Sequence, residues 1–149
     1  MVQTGHHSYR QHVGHTLMSK DQLLIKLFEG ALNFLRIARR GMEEKNIRAK
    51  GENISKLINI ITELDCALDM ESGGEITRNL STLYQHIIFS MVNANVKDDL
   101  NALDEVEHIL MNIKEGFQAA AKINRENKQS SQNIEPQVAE HKGGMSLAI

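Results

Sequence analysis

Apolar residues along this chain recur every three or four positions, not every second one, and they do so in four stretches. The first opens at Ser19, whose hydroxyl suits a helix N-cap, with Gln22 three residues on to complete a capping box. It continues through Leu24, Leu27, Phe28, Ala31, Leu35, Ala38 and Met42. A second stretch starts after Asn46 and carries Ile54, Leu57, Ile58, Ile61, Leu64 and Leu68. Gly73-Gly74 then interrupts the pattern, because glycine reaches the backbone angles that end a helix. The third stretch holds Ile76, Leu80, Leu83, Tyr84, Ile87 and Met91 and closes near Asn95. Asp98 is the expected cap of the fourth, which carries Leu103, Val106, Leu110, Ile113 and Phe117.

The only proline is Pro136, so nothing between residues 16 and 124 rigidly breaks a helix. Short connections make neighbouring helices antiparallel. The pattern therefore predicts an all-α fold, an antiparallel up-down four-helix bundle over residues 19–124. Residues 1–18 form a polar, His-rich arm, with a possible helical turn at Tyr9 to His12. Residues 125–149 are rich in Asn, Gln, Ser and Gly; they read as a disordered tail that closes on the apolar Met145 to Ile149.

The first stretch is more apolar than a bundle helix requires. Leu24, Leu27, Phe28, Ala31, Leu35, Ala38 and Met42 fall within about 40° of one line. Leu23, Phe34 and Ile37 make a second stripe roughly 100° away, and Ile25 and Leu32 lie on the other side. Such a helix is either central in its bundle or binds something outside it. Central burial and a groove for an amphipathic guest segment are equally open at this point.

Composition narrows the classes of function. With 149 residues, 41% hydrophobic, the chain is one domain with a real core. A net charge of −2 and the lack of a Lys/Arg cluster argue against nucleic-acid binding. No stretch approaches a membrane span, and the polar start carries no signal-peptide core, so the cytosol is the expected compartment. The single Cys66 falls on the polar side of its helix, has no basic neighbour in sequence and reads as a bystander thiol. Seven methionines suit a surface that must adapt to another chain, and they suit core filling equally well.

Two arrangements tempt a metal reading. Glu105-x-x-His108 has the spacing of half a di-iron site, which would make the chain a ferritin-like oxidoreductase. No second copy exists, since Leu83 stands where the partner glutamate of His86 would be, and both residues fall away from the Val106/Leu110/Ile113 stripe. His6, His7, His12 and His15 lack neighbouring Cys or carboxylate ligands. No phosphate-binding glycine loop follows a strand, so neither metal, cofactor nor catalysis is expected. A plain adaptor bundle that dimerises through its apolar face is the remaining alternative.

Three stretches carry a resemblance to a known family. Thr16-Leu-Met-Ser19-Lys-Asp-Gln22-Leu-Leu-Ile-Lys-Leu-Phe28-Glu-Gly30-Ala-Leu-Asn-Phe34-Leu resembles the opening of the FliS flagellin chaperones, "TASPEQLLLMLYDGAIRFL". Leu68-Asp-Met-Glu-Ser-Gly-Gly-Glu-Ile-Thr-Arg-Asn-Leu-Ser-Thr-Leu-Tyr84 is similar to their "LDMEKGGEIAxNLxxLY" junction, the most specific match. Ala94-Asn95 with the acidic start before Leu103-Asp-Glu-Val106 resembles their last turn, and Tyr9 matches an N-terminal tyrosine. Lys20 replaces a usual proline, Phe28 a tyrosine and Phe117 a common tryptophan, while Phe89 takes an outward position more often polar or basic.

The resemblance spans about residues 9–120. It implies a non-enzymatic cytosolic chaperone that wraps the C-terminal segment of flagellin, prevents premature polymerisation and keeps it exportable through the flagellar type III apparatus. Export components or regulators are further partners on this reading, and the chaperone is a monomer or weak homodimer. The expected flagellin groove comprises Tyr9, Leu23, Phe34, Ile37, Ile58, Ile61, Tyr84 and Asn95, with the arm around Tyr9 able to lie over it.

Overall fold

A computed structural model describes residues 18–134, which fold into four helices: α1 (Lys20–Glu43), α2 (Ile47–Cys66), α3 (Gly74–Lys97) and α4 (Leu100–Gln132). They close a ring in which α1 packs on α2 and α4, and α3 packs on the same two; the backbones of diagonal helices do not approach closely. The bundle is the up-down arrangement that the short connections require.

Local chemistry sets each end. Ser19 accepts from the Gln22 N–H while the Gln22 side chain accepts from the Ser19 N–H, the reciprocal cap expected from sequence. Asn46 accepts from the Ala49 N–H at the start of α2. Asp69 accepts from the Ser72 hydroxyl and from the N–H groups of Ser72 and Glu71 in the α2–α3 turn, and these bonds hold its carboxyl below the usual range. Gly74 takes φ 62°, as the Gly-Gly break anticipates.

The start of α4 differs from expectation. Asp99, not Asp98, caps it, accepting from the Asn101 and Ala102 N–H groups. Asp98 sits in the left-handed region at φ 53° and terminates α3, whose last residue, Lys97, lies two beyond Asn95. Adjacent aspartates are both competent caps, and the one with extended backbone geometry takes the role. The other end of α4 also differs: residues 125–132, expected as disordered tail, continue the helix. No glycine or proline interrupts them, and the Ser130 and Ser131 hydroxyls bond back to the carbonyls four residues earlier. The arm with Tyr9 and its histidines, and the Met145–Ile149 stretch, lie outside the described residues.

Core residues come from all four helices, including Phe28, Leu35, Leu57, Ile61, Tyr84, Met91, Leu103 and Leu110. Aromatic contacts cross the ring: Phe28 of α1 lies 6.5 Å from Tyr84 of α3 and stacks at 5.7 Å on Phe117 of α4. Of the two apolar flanks of α1, the one that carries Leu32 is buried, whereas Leu23 and Ile37 on the other stay exposed at the rim of the seam with α2.

The α1–α2 seam depends on Gly41, where a Cβ would meet the Lys50 backbone nitrogen at 2.6 Å. Gly116 in α4 has open space around it. Gly41→Ala should therefore cost about 1–3 kcal/mol by forcing the seam apart, and Gly116→Ala should stabilise by up to about 1 kcal/mol. Chemical denaturation of the two variants checks the opposite signs.

Candidate functional site

The expected groove residues do not form one surface. Gly30 and Gly41 mark the flank of α1 that meets α2, since they abut Ile60 and Lys50. Leu23, Phe34 and Ile37 share this flank by helical spacing. Leu23 and Ile37 are exposed, whereas Phe34 is half-buried beneath the Lys56 ammonium, 5.5 Å from its ring centre.

Ile58 lies on the opposite flank of α2. Asp65 marks that flank by accepting from Ser81 of α3 at 2.7 Å. Ile58 stands seven residues before Asp65 and Ile88 seven after Ser81, so in an antiparallel pair they oppose each other two turns away. Both are half-buried against the core. A third flank, between α3 and α4, is marked by His86 Nε2 and Glu105 Oε1 at 2.9 Å, with Leu83 and Ile109 on the same faces.

Two expected site residues lie in the core in this structure. Ile61 is 0% and Tyr84 1% exposed, so neither offers surface to a guest in this structure. Ile61 lies four residues after Leu57 and shares its inward line, while Tyr84 meets Phe28 across the ring. Asn95 is half-buried and acts through its backbone: its carbonyl accepts from Lys50 Nζ at 2.9 Å, and the same ammonium reaches Asp98 at 2.6 Å.

The sequence reading placed Phe89 outward but left Val92 and Val96 unremarked; all three are exposed on the solvent side of α3. Their signal is a second apolar spacing on the side of the helix opposite Leu80, Ile87 and Met91. The α1–α4 seam is of another kind. Arg39 bonds Asp104 and Glu107, and Arg36 approaches Glu107 at 3.8 Å. Towards the base of that seam a cavity of about 390 Å³ opens among Ser19, Ile25, Ala121 and Arg125.

Glu105 and His108 are both exposed, and Glu105 is engaged by His86 of the neighbouring helix. Among the described residues no group of three His, Cys, Asp or Glu side chains could hold a metal ion. Cys66 is exposed. No described helix is long and apolar enough to cross a membrane.

The sequence model of the family described as "Flagellar protein FliS" matches residues 3–124, most of the chain. The chain belongs to the FliS family. It is 46% identical over 100 residues to the flagellar secretion chaperone FliS of Salmonella typhimurium, covering 66% of this chain and 74% of that one. The Escherichia coli protein of the same name is 39% identical over the same shares. That of Bacillus subtilis is 28% identical over 133 residues, 89% of this chain and 98% of the relative. FliS proteins are chaperones, not enzymes, so the oxidoreductase alternative falls. The extension of α4 past residue 124 lies outside the family match.

Burial separates two kinds of apolar residue. Ile61→Ala should lower stability by about 2–5 kcal/mol, while Leu23→Ser and Ile37→Ser should leave the thermal midpoint nearly unchanged. Thermal unfolding of the three variants distinguishes them.

Tyr84 adds a pH signature. Burial, assisted by the Asp65 carboxylate, pushes its phenol up to about 12. Below about pH 10 folded and unfolded chains both hold the proton. Above it the unfolded chain releases the proton first, so stability falls as pH rises from about 10 to 12, by at most about 2–3 kcal/mol. Denaturation across that window should show this loss in the parent protein and a smaller one in Tyr84→Phe.

Proposed function

We propose that the chain is a flagellin-specific export chaperone: it holds the C-terminal segment of flagellin in the cytosol, prevents its premature polymerisation and delivers it to the flagellar type III export apparatus. The observation that carries this reading is the family match over residues 3–124, joined to a fold that leaves apolar side chains on several inter-helix flanks. A protein that needed only to fold would gain by burying them; one that shields a sticky segment needs them at its surface.

Leu23, Phe34 and Ile37 on the α1–α2 flank and Ile58 on the α2–α3 flank are the proposed contacts that this structure leaves at or near the surface. They lie on opposite edges of α2, so one guest segment touching both must wrap around that helix. An extended, partly helical guest can do so, at the cost of ordering its backbone. Ile61 and Tyr84 would then support the groove from below by fixing the helices that carry it. Tyr9 remains a proposed contact from the arm, as a ring that competes with the guest and is readily displaced.

Titration calorimetry with a flagellin C-terminal peptide should show one peptide per chaperone chain and a negative heat-capacity change, because the contact is mainly apolar. Ile37→Ser or Ile58→Ser should weaken binding while the protein stays folded. Absence of binding to the parent protein at high peptide concentration would refute the assignment.

A further inference from the structure

The far end of α4 stands without support from the bundle. Residues 122–132 are all exposed, and from 125 on they lie past the family match. Among the described residues they form no ion pair, not even Lys122 with Glu126 one turn on. A helix polar on every side normally relies on such pairs or on a neighbour. Beside this end lies the cavity of about 390 Å³ between α1 and α4. Its floor is apolar, made by the buried Ala121 and the half-buried Ile25, and the exposed Arg125 and Lys128 stand at its rim. Neither cation has an ionic partner among the described residues. Asp21 is the one carboxylate on the wall, and it sits in the first turn of α1, where the helix dipole offsets its charge. The cavity thus suits a segment with two carboxylates around a small apolar stretch.

We propose that this cavity is the docking site of the segment that follows α4 in the same chain, Glu135-Pro-Gln-Val-Ala-Glu140. The segment has a carboxylate at each end and Val138-Ala139 between them, and Lys142 follows with the charge opposite to Asp21. Pro136 cannot continue a helix and biases Glu135 towards extended backbone, so the sequence favours a change of direction there. Reach is sufficient. The way back from Gln132 to Ala121 along α4 is about 17 Å, and residues 134–140 span about 23 Å when extended. An acidic segment of another protein would offer similar chemistry. This one is tethered beside the cavity, at an effective concentration of about millimolar, and so prevails. Docked, Glu135 and Glu140 meet Lys128 and Arg125, while Val138 covers Ala121 and Ile25. Exposed ion pairs are individually weak, so the strap closes at low ionic strength and is released by salt. It ties the end of α4 to the head of α1 and leaves the flanks proposed for flagellin untouched, so it stands apart from that reading.

Disulfide formation within the full chain, in a Cys66→Ser background, tests the strap. Asn124→Cys, exposed on the cavity side of α4, is combined with Val138→Cys. Ile123→Cys with Val138→Cys is the comparison, since Ile123 lies on the far face of the helix at nearly the same separation along the chain. Under mild oxidation at low protein concentration, the cavity-side pair should close roughly three- to tenfold faster, the gain that two exposed ion pairs can give. Salt at about 0.5 M should remove the difference. Arg125→Glu with Lys128→Glu should abolish the preference, and adding Glu135→Lys and Glu140→Lys should restore it. Equal rates at low salt would overturn the proposal, as would a preference that survives the charge reversal. A disulfide joining two chains would overturn it as well, giving the cavity to a second copy. So would maleimide labelling of Asn124→Cys alone that is slowed only by added flagellin C-terminal peptide, which would give the cavity to the guest.

Discussion

Three of the four helices are tied together at one residue, Lys50. Its backbone nitrogen lies where a side chain at Gly41 would be, at the end of α1, and its ammonium reaches the Asn95 carbonyl and the Asp98 carboxylate at the end of α3. The residue is only 8% exposed, so the charge has left most of its water and depends on those two partners. Asp98 in turn holds the left-handed turn that allows Asp99 to start α4. One buried cation thus sets the spacing of α1 and α2, the end of α3 and the origin of α4. Replacing it with a long apolar side chain would keep the packing but orphan a helix-terminal carbonyl, which is why a charge is tolerated there.

At the opposite end no such knot exists. The bundle is filled there by rings instead, with Phe28 between Tyr84 and Phe117. Ring packing is less directional than a charged hydrogen bond, and α4 is free to run on past the starts of α1 and α3. The two ends of the molecule therefore differ in kind. A buried cation fixes one, and apolar area fills the other beside the Asp65 tie to Ser81 and Gln85.

Much of this was legible in the residues. Ser19 with Gln22, Asn46 and the Gly-Gly break announced helix ends, because each acts through neighbours within three or four positions. Spacing likewise placed Leu57, Met91 and Leu103 inside. What escaped was decided over longer distances. The exposure of rim residues such as Leu23 and Ile37 depends on how far each helix is rotated in the ring. Ile61 shares the line of Leu57 and Tyr84 that of Ile87 and Met91, so their inward turn, by contrast, follows from spacing. The choice between Asp98 and Asp99 depends on Lys50, nearly fifty positions away. Residues 125–132 read as disordered from composition, yet a helix already formed extends through polar residues at little cost, since nucleation is the expensive step. The candidate groove suffered most, because which flank of a helix faces which neighbour is a property of the assembled bundle.

The four seams also differ in what closes them, and this bears on where a guest can lie. Arg36 and Arg39 with Asp104 and Glu107 close the α1–α4 seam, and an apolar segment entering there would strand partly buried charges. Glycine closes the α1–α2 seam from within by close backbone approach, leaving Leu23 and Ile37 on its outer rim. Along α2–α3 the tie is Asp65 with Ser81 and Gln85, while Ile58 and Ile88 lie two turns away, apart from any ion pair. On α3–α4 a single His86–Glu105 contact sits between Leu83 and Ile109. Polar closure is thus concentrated on one side of the ring, and apolar edges dominate the other three seams. On the proposed function, this unequal closure would direct an apolar guest around α2 and α3, without a preformed pocket. Because the rim residues contribute little to the core, the surface could change to suit a client without loosening the bundle that presents it.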